Sequence, residues 1–186
     1  MIVVDTGSHH ADLTDDYAAV PREMQVVAVQ LGKSFCREIT KEEILNNIQQ
    51  LRAHAGDRAV LRALHFLDEN ERVDRQVAAL RAGDFAAFLH DVNASGNSSM
   101  RWLQNCFTPQ NVSEQGLTLA LALTENSLTS IGEGACRVHG GGFAGTIQVF
   151  LPNRNVEDYT KLMESVFKRG CVQVLSIRAA GTLQLC

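Results

Sequence analysis

Leu13, Tyr17, Val20, Met24, Val27 and Leu31 recur at alternating steps of four and three, the stripe that one face of an α-helix turns toward a core. Asp12 caps that helix, Asp15 stands in an acidic first turn, and Gly32 ends it. Pro21 lacks a backbone donor and crowds the carbonyl of Tyr17, so the pattern predicts a kink near Tyr17 or two abutting helices. Ahead of this helix, Ile2-Val3-Val4 reads as a buried strand and Thr6-Gly7-Ser8-His9-His10 as a turn.

Thr40-x-x-Glu43 is a capping box, and Ile44, Ile48 and Leu51 carry its helix to about Gly56. Asp57 caps a longer helix that Gly83 closes. Its predicted core stripe is Val60, Leu64, Leu67, Val73, Val77 and Leu80, interrupted by a solvated charge run, Asp68-Glu69-Asn70-Glu71-Arg72. Asp84 opens an amphipathic helix through Phe85, Phe88, Leu89 and Val92 to Gly96, where Ser95-Gly96-Asn97-Ser98-Ser99 breaks the pattern. Leu117, Leu119, Leu121 and Leu123 alternate like a strand, yet Leu117, Leu121, Thr124, Leu128 and Ile131 fit a helix, which length and composition favour.

The last third changes character. Ala135 to His139 and Thr146 to Leu151 read as strands joined by a glycine-rich loop. Asn155 caps a helix that turns Val156, Tyr159, Leu162, Met163 and Val166 inward, and Cys171 to Ile177 is a further strand. Helices followed by ββαβ imply an α+β fold, a small antiparallel sheet covered by helices on one face.

Composition narrows the class. The chain has 186 residues, 45% of them hydrophobic and 20% charged, enough for one globular domain without disulfide or metal. A net charge of −4 with scattered basic residues excludes a broad nucleic-acid footprint. No apolar run nears the ~20 residues that span a bilayer, and no secretory signal opens the chain, so no membrane partner and a cytoplasmic location are expected. Cys36, Cys106, Cys136, Cys171 and Cys186 are odd in number, widely spaced and without a C-x-x-C pair, the pattern of reduced, mostly buried thiols.

Candidate chemistry is sparse. His9, His10, His54, His65, His90 and His139 have no metal-ligand spacing, no nucleophile motif occurs, and no carboxylate pair stands out, so no catalytic or metal-binding residue is named. The strongest signal is Gly140-Gly141-Gly142-Phe143-Ala144-Gly145. Glycines there either let a ligand approach the backbone or satisfy a hairpin that needs positive φ at several positions. The loop is neither a Walker A loop nor a dinucleotide turn, because no Lys-Ser/Thr follows and the next element is a strand.

Arg137-Val138-His139-Gly140-Gly141-Gly142-Phe143-Ala144-Gly145 resembles the third motif of the GHMP kinases, Ala-Arg-Met-Thr followed by Gly-Gly-Gly-Phe-Gly-Gly. Asp5-Thr6, His10 and Tyr17 are similar to the galactokinase segment in which a strand leads to a histidine and then a helical tyrosine. Arg62-x-x-His65, Glu69-Asn70-x-Arg72, Gly83-Asp84-Phe85 and Ile177-Arg178-Ala179-Ala180-Gly181 follow in galactokinase order. The match is to the C-terminal half of galactokinases and runs over nearly the whole chain.

The resemblance implies a ferredoxin-like α+β sandwich of the GHMP C-terminal type, with several covering or inserted helices. Residues 1–186 then form a single domain, with 1–35 the connection from a missing N-terminal kinase domain. It also implies that Tyr17 lines a pocket for galactose or a related sugar, although Tyr17 equally fits a core aromatic beside Leu13 and Val20. Gly140, Gly141, Gly142, Phe143 and Gly145 become an active-site loop. ATP and Mg2+ belong to the intact enzyme, and no cofactor is assigned to this chain.

The departures weigh as much. The family's sugar-gripping Arg, Gly-Glu-His and Asp motif, its Gly-Leu-Ser-Ser-Ser nucleotide loop and its catalytic aspartate have no counterpart here. The expectation is therefore a galactokinase-like domain that is inactive alone. The alternative is a stand-alone sugar-binding or regulatory module, and the face left by the missing domain is expected to expose apolar surface that invites a homodimer.

Overall fold

The computed structural model of the chain describes residues 1–7, 13–178 and 181. In chain order the elements are β1 (Ile2–Asp5), α1 (Thr14–Gln30), α2 (Lys41–Asn46), α3 (Ile48–His54), α4 (Asp57–Ala82), α5 (Phe85–Ser98), α6 (Gly116–Ile131), β2 (Ala135–His139), β3 (Thr146–Phe150), α7 (Val156–Val166) and β4 (Val172–Val174). The strands make one antiparallel sheet in the order β2-β3-β1-β4, with Val4 opposite both Ile147 and Val172. Helices after β1 and after β3 give the β-α-β-β-α-β plan of a ferredoxin-like sandwich. All of α1 to α6 lies within the first crossover, so the expected α+β fold with inserted helices is the fold observed.

Alternation along the strands divides the sheet into two faces. Ile2, Val4, Cys136, Val138, Ile147 and Val149 join Leu117, Leu121 and Leu128 of α6 and Tyr159 and Met163 of α7 in the main core. Burying a side chain such as Ile147 or Met163 contributes about 1.5–3 kcal/mol. Across the opposite face run Arg137, Gln148, Val3 and Gln173 in register, while α5 covers its β2 end through Phe88, Leu89 and Val92 against Ala135 and Phe150. Helices therefore cover both faces along the β2 edge, rather than one.

A second core lies among the helices. Val27 and Ala28 of α1, Ile44 of α2, Leu51 of α3, and Ala59, Val60 and Ala63 of α4 pack together with Cys36 and Ile39. The Thr40 hydroxyl accepts from the Glu43 N–H, and the Glu43 carboxylate accepts from the Thr40 N–H, so the capping box forms as expected. The helix it starts ends at Asn47, and α3 follows directly, so the single helix expected to Gly56 is two.

Other expectations are corrected by packing. α1 runs unbroken through Pro21, not as two abutting helices. The predicted stripe on α4 fails in its second half, where Val73, Val77 and Leu80 are exposed, while Arg62, His65 and Arg72 are buried. Within the charge run Asn70 and Glu71 are solvated, whereas Asp68 and Glu69 are half-buried and Arg72 is buried against Glu69. Ser95, Ser98 and Ser99 are buried, α5 continues past Gly96 to Ser98, and a π-helical turn spans Ser99–Leu103. Leu162 and Val166 of α7 point outward. The closing strand is only Val172–Val174, shorter than predicted. Among the described residues no helix is long and apolar enough to cross a membrane. The Asp12 cap, His9, His10, Cys186 and residues 179–180 of the family-like ending lie outside the described residues.

Candidate functional site

Residues 140–145 join β2 to β3, and the geometry at their centre depends on the absence of side chains. Gly142 has φ +82°, and a Cβ there would lie 2.1 Å from the Asn105 carbonyl oxygen, so no other residue fits. Phe143 follows with φ +61°, an uncommon conformation for a non-glycine residue. Its backbone N–H donates to the Asn105 carbonyl at 2.5 Å, and its side chain is buried. The hairpin reading therefore holds in its backbone demands, and the space left by Gly142 is filled by Asn105.

Tyr17 comes to the loop from the first turn of α1. Its Oη–H donates to the Gly142 carbonyl at 2.8 Å, and its ring meets that of Phe143 edge to face, with centroids 5.4 Å apart and planes at 88°. At Gly141 a Cβ would come within 2.7 Å of the tyrosine ring, whereas at Gly140 it would meet nothing. Leu13, Val20 and Ala144 complete the apolar setting, and partial burial raises the phenol's pKa. Tyr17 thus packs with its own helical stripe and against the glycine loop, partly buried. This packing is the aromatic contact beside Leu13 and Val20 that its helical stripe predicts.

The loop is tied to β1 at its far end, where the Thr6 N–H and hydroxyl both donate to the Gly145 carbonyl, at 2.9 and 2.8 Å. On its other flank stands the segment after the π-helical turn. Thr108 Oγ1 donates to the buried Asp16 carboxylate at 2.6 Å, and Gln110 Nε2 reaches the same oxygen at 3.3 Å. Arg62, nearly fully buried, bonds the Leu103 carbonyl at 3.1 Å and Glu23 at 3.0 Å, and Arg58 shares that glutamate. All of the sequence-named site residues, Tyr17, Gly140, Gly141, Gly142, Phe143 and Gly145, meet at this one place.

Sequence reasoning missed Asn105 and the polar layer beneath it. Asn105 follows Gln104, a residue in the left-handed region, and nothing local marks it. The layer did leave a trace: Arg62, His65, Glu69 and Arg72 are spaced to share one face of α4. His65 Nδ1 pairs with the Ser98 hydroxyl at 2.8 Å, and Ser95 donates to Glu69 at 2.6 Å. Glu69 also contacts Arg72 and stands 3.9 Å from Arg137 of β2. Burial, with Arg72 and Arg137 nearby, pushes the His65 pKa down to about 4.

Among the described residues no three His, Cys, Asp or Glu side chains gather into a metal-ligating group. Asp16 is held by Thr108 and Gln110, and Glu23 by Arg58 and Arg62. These carboxylates are spoken for and do not fit a Mg2+ and ATP centre.

Comparison with known proteins supports the resemblance. The chain is 27% identical over 168 residues to a galactokinase of Actinobacillus pleuropneumoniae, covering 90% of this chain and 41% of that protein. It is 29% identical over 169 residues to a galactokinase of Streptomyces coelicolor, covering 90% and 40%. Over 99 residues it is 35% identical to a galactokinase of Thermotoga petrophila, 53% of this chain and 26% of that one. The crystal structure of Lactococcus lactis galactokinase complexed with galactose matches with a TM-score of 0.65 at 21% identity, over 89% of this chain and 40% of that one. No protein-family model matches. The chain thus spans about two fifths of the length of the galactokinases it matches.

Proposed function

We propose that this chain forms the part of a galactokinase-like enzyme that lines the sugar site, with Tyr17 and residues 140–145 at the pocket. The observation that carries this reading is the seating of Tyr17 on the Gly142 carbonyl, in a chain similar to galactokinases over nine-tenths of its length. The tyrosine's single O–H proton is committed to that carbonyl, so toward a galactose hydroxyl it acts as acceptor. Its ring, braced by Phe143, offers a rigid apolar wall beside a polyol.

The reaction we infer for the whole enzyme moves the γ-phosphoryl of ATP to the anomeric hydroxyl of galactose. That chemistry rests on a cradle for the phosphates, Mg2+ and a group that orients the attacking hydroxyl. We assign them to a partner, a nucleotide-binding kinase domain, and to this chain the positioning of the sugar.

Calorimetric titration of the chain with galactose is the direct check. Binding is expected, with Tyr17→Phe weakening it about 5- to 10-fold, the worth of one hydrogen bond. ATP-dependent turnover is expected only after an N-terminal galactokinase half is added in trans. Turnover by this chain alone would overturn the division of labour. Galactose binding that no added half converts into turnover would instead identify a stand-alone sugar-binding module.

A further inference from the structure

Asn105 makes contacts that its sequence setting does not explain. It is 2% exposed, and it is presented by the π-helical turn Ser99–Leu103 and by Gln104 in the left-handed region. π-helical turns inside helices concentrate at functional sites. The Asn105 side-chain Nδ2 donates to the Gly141 carbonyl at 3.1 Å, and its backbone carbonyl accepts the Phe143 N–H at 2.5 Å. Between those two bonds lies Gly142, whose carbonyl accepts the Tyr17 hydroxyl. Three consecutive loop residues are thus each held at one polar group, Gly141 and Phe143 by Asn105 and Gly142 by Tyr17 together with the Ala144 N–H.

We infer that Asn105 is a positioning residue that sets the glycine loop, and through it the Tyr17 hydroxyl, for sugar binding. The inference rests on the reading of Tyr17 as a sugar contact. Its physical basis is the arrangement of donors. The Gly142 carbonyl and the Phe143 N–H belong to one planar peptide unit, which the Asn105 carbonyl holds, and the Asn105 amide holds the unit before it through the Gly141 carbonyl. With both units pinned on either side of Gly142, the direction in which its carbonyl meets the tyrosine is set. Asn105 Oδ1 is buried without a hydrogen-bond partner. An amide kept in so unfavourable a place, with one of its polar atoms unsatisfied, is retained for the bonds its other atoms make. The strained Phe143 backbone points the same way, since such conformations persist where surrounding contacts over-determine them.

The chain has only two tyrosines, Tyr17 and Tyr159, so fluorotyrosine labelling gives one fluorine resonance for the site and one for the core. Tyr159 is buried against the Thr124 hydroxyl at 2.7 Å, in the main core with α6 and β3. Asn105→Asp replaces the donating N–H by a carboxylate oxygen of the same size, and Asn105→Ser shortens the side chain while keeping a donor. The Tyr17 resonance is expected to move and broaden in Asn105→Asp, with Tyr159 unmoved and galactose affinity lowered about 3- to 10-fold, no further than in Tyr17→Phe. Asn105→Ser is expected to sit between the two. Thr124→Val supplies the reciprocal control, shifting the Tyr159 resonance and lowering Tm while leaving Tyr17 and galactose affinity as they are.

An unmoved Tyr17 resonance in both Asn105 variants overturns the proposal. So does a moved resonance with unchanged galactose affinity. Should the unsubstituted chain bind no galactose, the sugar-site reading of Tyr17 fails, and the role of Asn105 in sugar binding fails with it. The fluorine spectrum still decides, by itself, whether Asn105 sets the tyrosine. Should Asn105→Asp fail to fold, the fluorine spectrum of Asn105→Ser decides by the same criterion.

Discussion

Gly142 and Gly140 show how two glycines of one loop differ in what they tolerate. Both have positive φ, but a Cβ at Gly142 meets the Asn105 backbone and one at Gly140 meets open space. Gly142→Ala is therefore expected to cost on the order of 3 kcal/mol, strain and collision together, and Gly140→Ala only about 1 kcal/mol. Urea denaturation of both variants checks the ranking, and equal costs would refute it. Glycine enrichment was legible in the sequence, and the spans of both strands beside it were too. That protein atoms occupy the room at positions 141 and 142 was not, because Tyr17 and Asn105 are 124 and 36 residues from Gly141.

His65 carries a second residue-scale prediction. Its folded pKa, about 4, lies below the ordinary value of 6.5, because burial and the nearby Arg72 and Arg137 disfavour the imidazolium. The unfolded chain then binds more protons between those values. Stability is fully present above about pH 6.5 and falls as the pH drops toward 4, by roughly 3 kcal/mol if His65 acts alone. His65→Gln is expected to flatten the slope between pH 6.5 and 5, where most carboxylates stay ionised. Chemical denaturation at each pH reads the slope, and an equal slope in both proteins would contradict the assignment.

At the level of elements, α4 is where hydrophobic periodicity misled. Its stripe through Val73, Val77 and Leu80 is regular, yet those side chains are exposed and the neighbouring face with Glu69 and Arg72 is turned inward. The reason is what α4 packs on: Ser95, Ser98 and Ser99 of α5 and the following turn, and Arg137 of β2, all polar. A helix laid on polar neighbours buries its polar face when each charge finds a partner. Glu69→Gln leaves two guanidinium groups without their carboxylate and is expected to cost about 2–4 kcal/mol. Val73→Ala is expected to change stability by less than about 0.5 kcal/mol. Thermal melts of the pair separate this packing from the one that periodicity predicts, which reverses the order.

Across the whole molecule, two cores stand side by side: one between the sheet, α6 and α7, the other among α1 to α4. The polar layer on α4 joins them. Ile44→Ala, which empties a fully buried position of the helical core, is expected to cost about 2–4 kcal/mol. Hydrogen exchange should show faster opening of α1 to α4 while β1 and β3 keep their protection. Uniform loss of protection would show that the cores open as one.

Residues close in the chain determined much of this protein. Strand alternation, the capping box at Thr40, the glycine ends at Gly32 and Gly83, and the helix–strand order that makes an α+β sheet all depend on neighbours within a few positions. The galactokinase-like order of motifs was equally legible. Tertiary structure alone decided which face of α4 is inside, that α5 continues through its serines, and that Asn105 stands between the glycine loop and the π-helical turn. Those outcomes turn on hydrogen bonds and ion pairs between distant segments. A buried polar group is stable only when its partner arrives from elsewhere in the fold, and spacing along one helix, as for Arg62, His65, Glu69 and Arg72, marks such residues without naming that partner.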